Sequence, residues 1–209
     1  MLVIAISGCS GSGKTSLIRA LVDTIPEASP LFSDTYSADY CATTIDFPLY
    51  RHLPMSDAER CQKWFDDDCP EDGYASCPQL VQDILSLKSG TPILTPIPAW
   101  EGGEQRIAPN RYLFLEDAWA HRSEMHGLVD YFIHISIPLD IALARFIQRQ
   151  VRQKDDIGRL ADFYLDVAFK NNREVNKSRE HHHLVLDGMK PTGTLVAEVA
   201  EWLTHRRTV

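Results

Sequence analysis

The chain has 209 residues, 44% of them hydrophobic and 24% charged, enough for one substantial core and within the usual size of a single domain. Its 21 Lys and Arg stand against 29 Asp and Glu, a net charge of −8, which argues against wrapping a nucleic-acid backbone or lying on an anionic membrane. No apolar run is long enough to span a bilayer, Met1 leads directly into Leu2-Val3-Ile4-Ala5-Ile6 without the features of a signal peptide, and the five cysteines form no Cys-x-x-Cys pair; together these predict a cytoplasmic chain with reduced thiols.

Short apolar runs predict strands at Leu2 to Ser7, Leu31 to Ser33, Pro92 to Ile97, Arg111 to Glu116, Tyr131 to Ile137 and His183 to Leu186. Helical periodicity falls between them, at Lys14 to Ile25, Ser56 to Phe65, Gln79 to Lys88, Leu139 to Val151, Gly158 to Arg179 and Thr194 to His205. In the first helix Leu17, Ile18, Leu21 and Ile25 share a stripe and Pro26 ends it. Neither a repeat nor a linker interrupts the order. Alternating strands and helices predict an α/β three-layer sandwich with a mostly parallel, doubly wound sheet, whose ligands gather at the carboxyl ends of the strands.

The first such end carries Gly8-Cys9-Ser10-Gly11-Ser12-Gly13-Lys14-Thr15, a complete G-x-x-x-x-G-K-[ST] between strand and helix. Glycines suit this loop because backbone N–H groups must turn inward around phosphate oxygens, in conformations a Cβ would obstruct. Gly8, Ser10, Gly11, Ser12, Gly13, Lys14, Thr15 and Ser16 are therefore the candidate nucleotide-binding residues, with Lys14 reaching the β- and γ-phosphates of ATP and the Thr15 hydroxyl serving Mg²⁺. The apolar strand Tyr112-Leu113-Phe114-Leu115-Glu116-Asp117 ends in two carboxylates and resembles a Walker B strand; either Glu116 or Asp117 would hold the metal, directly or through water.

Phosphoryl transfer to a hydroxyl also needs a carboxylate near the acceptor and cations on the moving group. Asp34, in Ser33-Asp34-Thr35-Tyr36, ends the second strand and is one candidate base; Asp39 is the other. Ile137-Pro138-Leu139-Asp140 opens a helix in which Arg145, Arg149 and Arg152 share a face that could serve as a lid.

These segments, with Lys63-Trp64-Phe65 ahead of Pro78-Gln79-Leu80-Val81 and the helix start running on as Ile141-Ala142-Leu143-Ala144-Arg145, resemble the uridine kinase-like family of P-loop kinases. That group includes nicotinamide riboside kinases and related small-molecule kinases. The resemblance runs from the first strand to Leu186-Asp187-Gly188 and implies a single P-loop kinase domain over 1–209, with the phosphate loop at 8–15, an acceptor region at about 34–78 and a lid at about 138–158. It implies Asp34 as base, in the family's Asp-x-[Tyr/Phe] segment. It further implies that Tyr36, Trp64, Asp68, Asp72 or Tyr74 borders the acceptor, although Asp66-Asp67-Asp68-Cys69-Pro70-Glu71-Asp72 departs from the nucleoside kinase pattern. The family lid pairs its basic residues, whereas Phe146 follows Arg145 here, so the second lid contact falls to Arg149 or Arg152.

The expected activity is ATP- and Mg²⁺-dependent phosphorylation of a small-molecule hydroxyl, with no nucleic-acid or membrane partner. The rival is a nucleotide-dependent switch; the nearest string to a guanine-reading box, Asn176-Lys177-Ser178-Arg179, ends in Arg and argues against GTP. His181-His182-His183 is read as an exposed connection, since adjacent residues diverge and no second ligand cluster accompanies them. Cys61, Cys69 and Cys77 fit no metal spacing, and the stripe Phe163, Tyr164, Val167, Ala168, Phe169 is read as core.

Overall fold

A computed structural model describes residues 1–36, 77–96, 104–118, 120–121, 123–152, 158, 161, 164–165, 169–177 and 182–206. Strand β1 (Leu2–Ser7) feeds the phosphate loop and α1 (Lys14–Thr24), followed by β2 (Ala28–Phe32) and a 3₁₀ turn at Ser33–Tyr36. Helix α2 (Pro78–Lys88) precedes a hairpin of β3 (Ile93–Pro96) and β4 (Glu104–Ile107). Then come β5 (Tyr112–Glu116), a turn at Ser123–Met125, β6 (Tyr131–Ser136), α3 (Leu139–Arg152), α4 (Phe169–Lys177), β7 (Leu184–Asp187) and α5 (Thr192–Arg206).

Five strands pair in parallel in the order β2-β5-β1-β6-β7. Side chains alternate across the sheet, so each strand contributes to two cores. Val3, Ala5, Leu113 and Leu115 face Leu80, Ile84 and Leu87 of α2. Ile4, Ile6, Tyr112 and Phe114 face Leu17, Ile18 and Leu21 of α1 and Leu195, Val196, Val199 and Leu203 of α5. A sheet covered on both faces explains why its central strands read as unbroken apolar runs.

This is the expected α/β sandwich, with three differences. The second strand begins at Ala28, earlier than its apolar signal, and tolerates Pro30 because β2 is a sheet edge where a missing N–H costs no ladder bond. The apolar run at Pro92 to Ile97 enters an antiparallel hairpin apart from the main sheet, and its partner β4, Glu104-Gln105-Arg106-Ile107, is too polar to register as a strand by composition. Within the span Gly158 to Arg179, the described helix is α4. The helix expected at Ser56 to Phe65, Cys61 and Cys69 lie outside the described residues. Of the aromatic stripe, Tyr164 is buried against Phe146, while Phe169 is exposed. No helix among the described residues is long and apolar enough to cross a membrane.

Leu21 is fully buried where α1 meets the sheet and α5. Leu21→Ala is expected to cost about 2–5 kcal/mol through lost burial and the cavity left behind, read as a lower urea midpoint at unchanged m-value.

Candidate active site

The loop between β1 and α1 takes its shape from its glycines. Gly8, Gly11 and Gly13 have φ of 146°, 86° and 100°. A Cβ on Gly11 would stand 2.5 Å from the Ala142 carbonyl oxygen, so the first turn of α3 packs directly on the loop backbone. Gly13 is the N-cap of α1 and supplies no side-chain hydrogen bond, nor does an acidic residue occupy the first turn. The leading amides of α1 are consequently left to an external anion, with the helix dipole aimed at it. Ser12 Oγ is buried beside them without a hydrogen-bond partner among the described residues.

Lys14 Nζ donates to the carbonyls of Gly8 at 2.9 Å and Cys9 at 3.3 Å, and lies 3.9 Å from Glu116 Oε1. Thr15 Oγ1 donates to the same Glu116 oxygen at 3.1 Å. Of the two carboxylates ending β5, Glu116 is thus the one that meets the phosphate loop; Asp117 is also buried, and its N–H bonds to Ile6 O at 3.3 Å. Glu116 Oε2 is buried with no hydrogen-bond partner among the described residues. A threonine hydroxyl, a carboxylate and an orphaned carboxylate oxygen form a hard-oxygen donor set that fits Mg²⁺ with waters and phosphate completing its shell. Among the described residues no group of three or more His, Cys, Asp and Glu could hold a metal by itself, the usual situation for a phosphate-bound Mg²⁺.

Asp34 lies in the turn after β2, and β5 stands between β2 and β1, so Glu116 is interposed between Asp34 and the loop. Asp34 is open to solvent, yet it lies in a recess: loss of hydration raises its carboxyl above the ordinary range, Lys14 and Arg149 oppose the rise and Asp117 adds to it. Glu116 is raised chiefly by burial, against Lys14, with Asp34 adding repulsion and Thr15 and Arg149 relief. Arg149 Nη2 donates to Ser10 Oγ at 3.4 Å, its guanidinium 5.8 Å from the Phe146 ring centroid. Arg145 turns elsewhere, Nη1 donating to the Gly188 carbonyl at 3.1 Å after β7. Arg152 ends α3 and its side chain is outside the described set. Tyr36 is buried with its hydroxyl on Asp83 at 2.6 Å. Asp39, Trp64, Asp68, Asp72 and Tyr74 fall outside the described residues.

Two contacts had no sequence signal. Asn172 of α4, buried in a polar helix, accepts the Ser10 N–H at 3.1 Å and so ties α4 to the loop. His182, expected in an exposed connection, lies with Nε2 2.7 Å from Ser7 Oγ, which is also 3.0 Å from Nδ1 of the buried His134; the polar end of β1 draws it inward, whereas His183 is exposed and His181 lies outside the described residues.

A phosphate loop, a carboxylate at the neighbouring strand end and an arginine helix packed on the loop define a P-loop kinase of the α/β class. The sequence model described as the phosphoribulokinase/uridine kinase family matches residues 3–171, and the chain belongs to that family, a phosphotransferase by class. No curated protein matches the chain significantly. Among solved structures it is similar to a Silicibacter sp. TM1040 protein named for a fructose transport system kinase, at 15% identity and TM-score 0.61 over 88% of each chain. It is also similar to TT1252 from Thermus thermophilus, at 16% identity and TM-score 0.55 over 100% of this chain and 98% of that one. At such identities the likeness speaks for the fold.

Because the folded state raises the Glu116 pKa, it holds that proton more tightly than the unfolded chain does. The stability this gives is complete below the ordinary carboxylate pKa and is lost as pH rises through the folded value. Glu116→Gln, without nucleotide, should therefore melt higher than the parent near pH 7, with the gain vanishing below roughly pH 4. Differential scanning fluorimetry across that range checks it; a lower melting point at neutral pH would mean that Lys14 attraction outweighs the desolvation.

Proposed function

We propose that the protein transfers the γ-phosphoryl group of ATP to a hydroxyl of a small metabolite, with Asp34 as the acceptor-side base. The observation that carries this reading is the placement of Asp34: it lies in the turn after β2, the strand paired with the Glu116 strand, interacts electrostatically with Lys14 and Arg149, and remains accessible to an incoming molecule. In this reading the α1 amides, Ser12 and Lys14 hold the phosphates, and Lys14 leaves the Gly8 and Cys9 carbonyls to do so. Thr15 and Glu116 would hold Mg²⁺, which would supply neutralisation of the phosphate charge. Asp34 accepts the proton of the acceptor hydroxyl as its oxygen bonds to the γ-phosphorus, and the bond to the β–γ bridging oxygen breaks to release ADP.

Arg149, already on Ser10, is the cation of α3 best placed to neutralise the transferred group; Arg145 braces α3 against the end of β7. The acceptor region extends over 34–78, with Trp64, Asp68 and Asp72 as acceptor contacts. The net charge of −8 and the absence of a Cys-x-x-Cys pair in the sequence support a cytoplasmic enzyme acting on a small molecule rather than on nucleic acid or membrane.

Incubation with Mg-ATP and a panel of nucleosides, sugars and vitamins, followed by ADP release and product mass, identifies the acceptor. Asp34→Asn should lower transfer by about a hundredfold or more while retaining the Mg-ATP-induced rise in melting temperature. Lys14→Ala should lower turnover by at least about two orders of magnitude. ADP release without any phosphorylated product would instead favour the nucleotide-switch reading.

A further inference from the structure

We propose that Asp83, acting through Tyr36, is a positioning residue that holds the Asp34 carboxylate toward the phosphate loop. The inference rests on the reading of Asp34 as base and supplies what that reading lacks, the means by which a residue in a short turn is kept in place. Asp34, Thr35 and Tyr36 are consecutive in the 3₁₀ turn after β2. Tyr36 points into the protein and donates its hydroxyl to Asp83 Oδ2 at 2.6 Å. Thr35 Oγ1 donates to Phe32 O at 2.7 Å and lies 3.1 Å from Thr95 Oγ1 on β3. The turn is thereby pinned to α2 on one side and to the hairpin on the other. None of these bonds uses the carboxylate of Asp34, which instead feels the charges of Lys14, Asp117 and Arg149 around the phosphate loop.

The anchor itself is stiff. Asp83 is buried on α2, whose Leu80, Ile84 and Leu87 lock into the core, and its second oxygen accepts from Gln79 Nε2 at 2.8 Å. Among the described residues it has no ion-pair partner, so its two oxygens rely on neutral donors. An apolar residue would be the cheaper choice for a core-facing helix position, since burying a carboxylate is unfavourable even when it is hydrogen-bonded. What the carboxylate does provide is a short, directional bond to Tyr36. Burial and Asp83 together keep the phenol protonated, raising its pKa far above the usual range, so Tyr36 remains a donor at every physiological pH.

The test reads Asp34 itself. In ¹³C-labelled protein the Asp34 carboxyl resonance, assigned with Asp34→Asn, is titrated in the parent, Tyr36→Phe, Asp83→Ala and Asp83→Asn. In Tyr36→Phe and Asp83→Ala the loosened turn becomes better hydrated, and the Asp34 pKa should drop by roughly half a unit or more toward the ordinary carboxylate value. Asp83→Asn retains an oxygen for Tyr36, and Gln79 can turn its amide to match, so this variant should titrate as the parent does. Transfer to the acceptor found in the panel should fall about ten- to a hundredfold in the first two variants, with the Mg-ATP-induced melting shift unchanged and Asp83→Asn near the parent. The double variant Tyr36→Phe, Asp83→Ala should be no slower than the slower single one.

An Asp34 titration unmoved by Tyr36→Phe overturns the proposal whatever the acceptor, as does an additive loss in the double variant. Full turnover in Asp34→Asn, with the titration still shifted by Tyr36→Phe, overturns the assignment of the base and leaves the positioning contact standing.

Discussion

Among the described residues no side chain caps the leading amides of α1. Gly13 caps the helix with backbone alone, the first acceptable carbonyl is taken only at Leu17 N–H to Gly13 O, and no carboxylate in the first turn offsets the dipole. The start of α1 is open to solvent at Gly13 and Ser16, where an anion can reach these groups, and much of the architecture serves to hold them still. Parallel pairing of β1 with both β5 and β6 fixes the loop's first residue, and Gly11 lets α3 approach to backbone contact. Asn172 takes the one loop amide it can reach at Ser10.

The same convergence brings like charges together. Glu116, Asp117 and Asp34 stand at or just past the ends of two adjacent strands, and Lys14 and Arg149 are cations common to Asp34 and Glu116. Both carboxyls are raised mainly by lost hydration, which opposes their ionisation where these strands end.

The phosphate loop, the central strands and the helices that cover them were legible because their signals are local: a fixed glycine spacing, runs of apolar residues and a 3.6-residue stripe. The ends of the sheet were less legible. Ala28-Ser29-Pro30 lacks apolar character, and Glu104-Gln105-Arg106 is held in a strand only by its pairing with Ile93–Pro96. That Glu116, of the two acids, meets Thr15 and Lys14 of the phosphate loop is a contact across 101 residues and is visible only in the fold. Asp83 carried no signal at all, since a lone acid in an amphipathic helix reads as solvent-facing until its partner, 47 residues away, is located. Long-range polar contacts of this kind leave no periodic trace.

The arginines of α3 separate the two sources of information most clearly. Spacing by four puts Arg145 and Arg149 on one helix face, and from periodicity they are equivalent. The fold makes them different. Arg145 lies where β7 ends, and the Gly188 carbonyl there engages its guanidinium. One turn further on, Arg149 clears β7, rests against Phe146 and reaches Ser10 with only a 3.4 Å contact to hold it. A weak, exposed contact is easily exchanged for phosphate, whereas a guanidinium committed to a backbone carbonyl must first break that bond. The difference between the two arginines, one bonded to the backbone after β7 and the other reaching the phosphate loop, follows from where β7 stops rather than from any property of the helix itself.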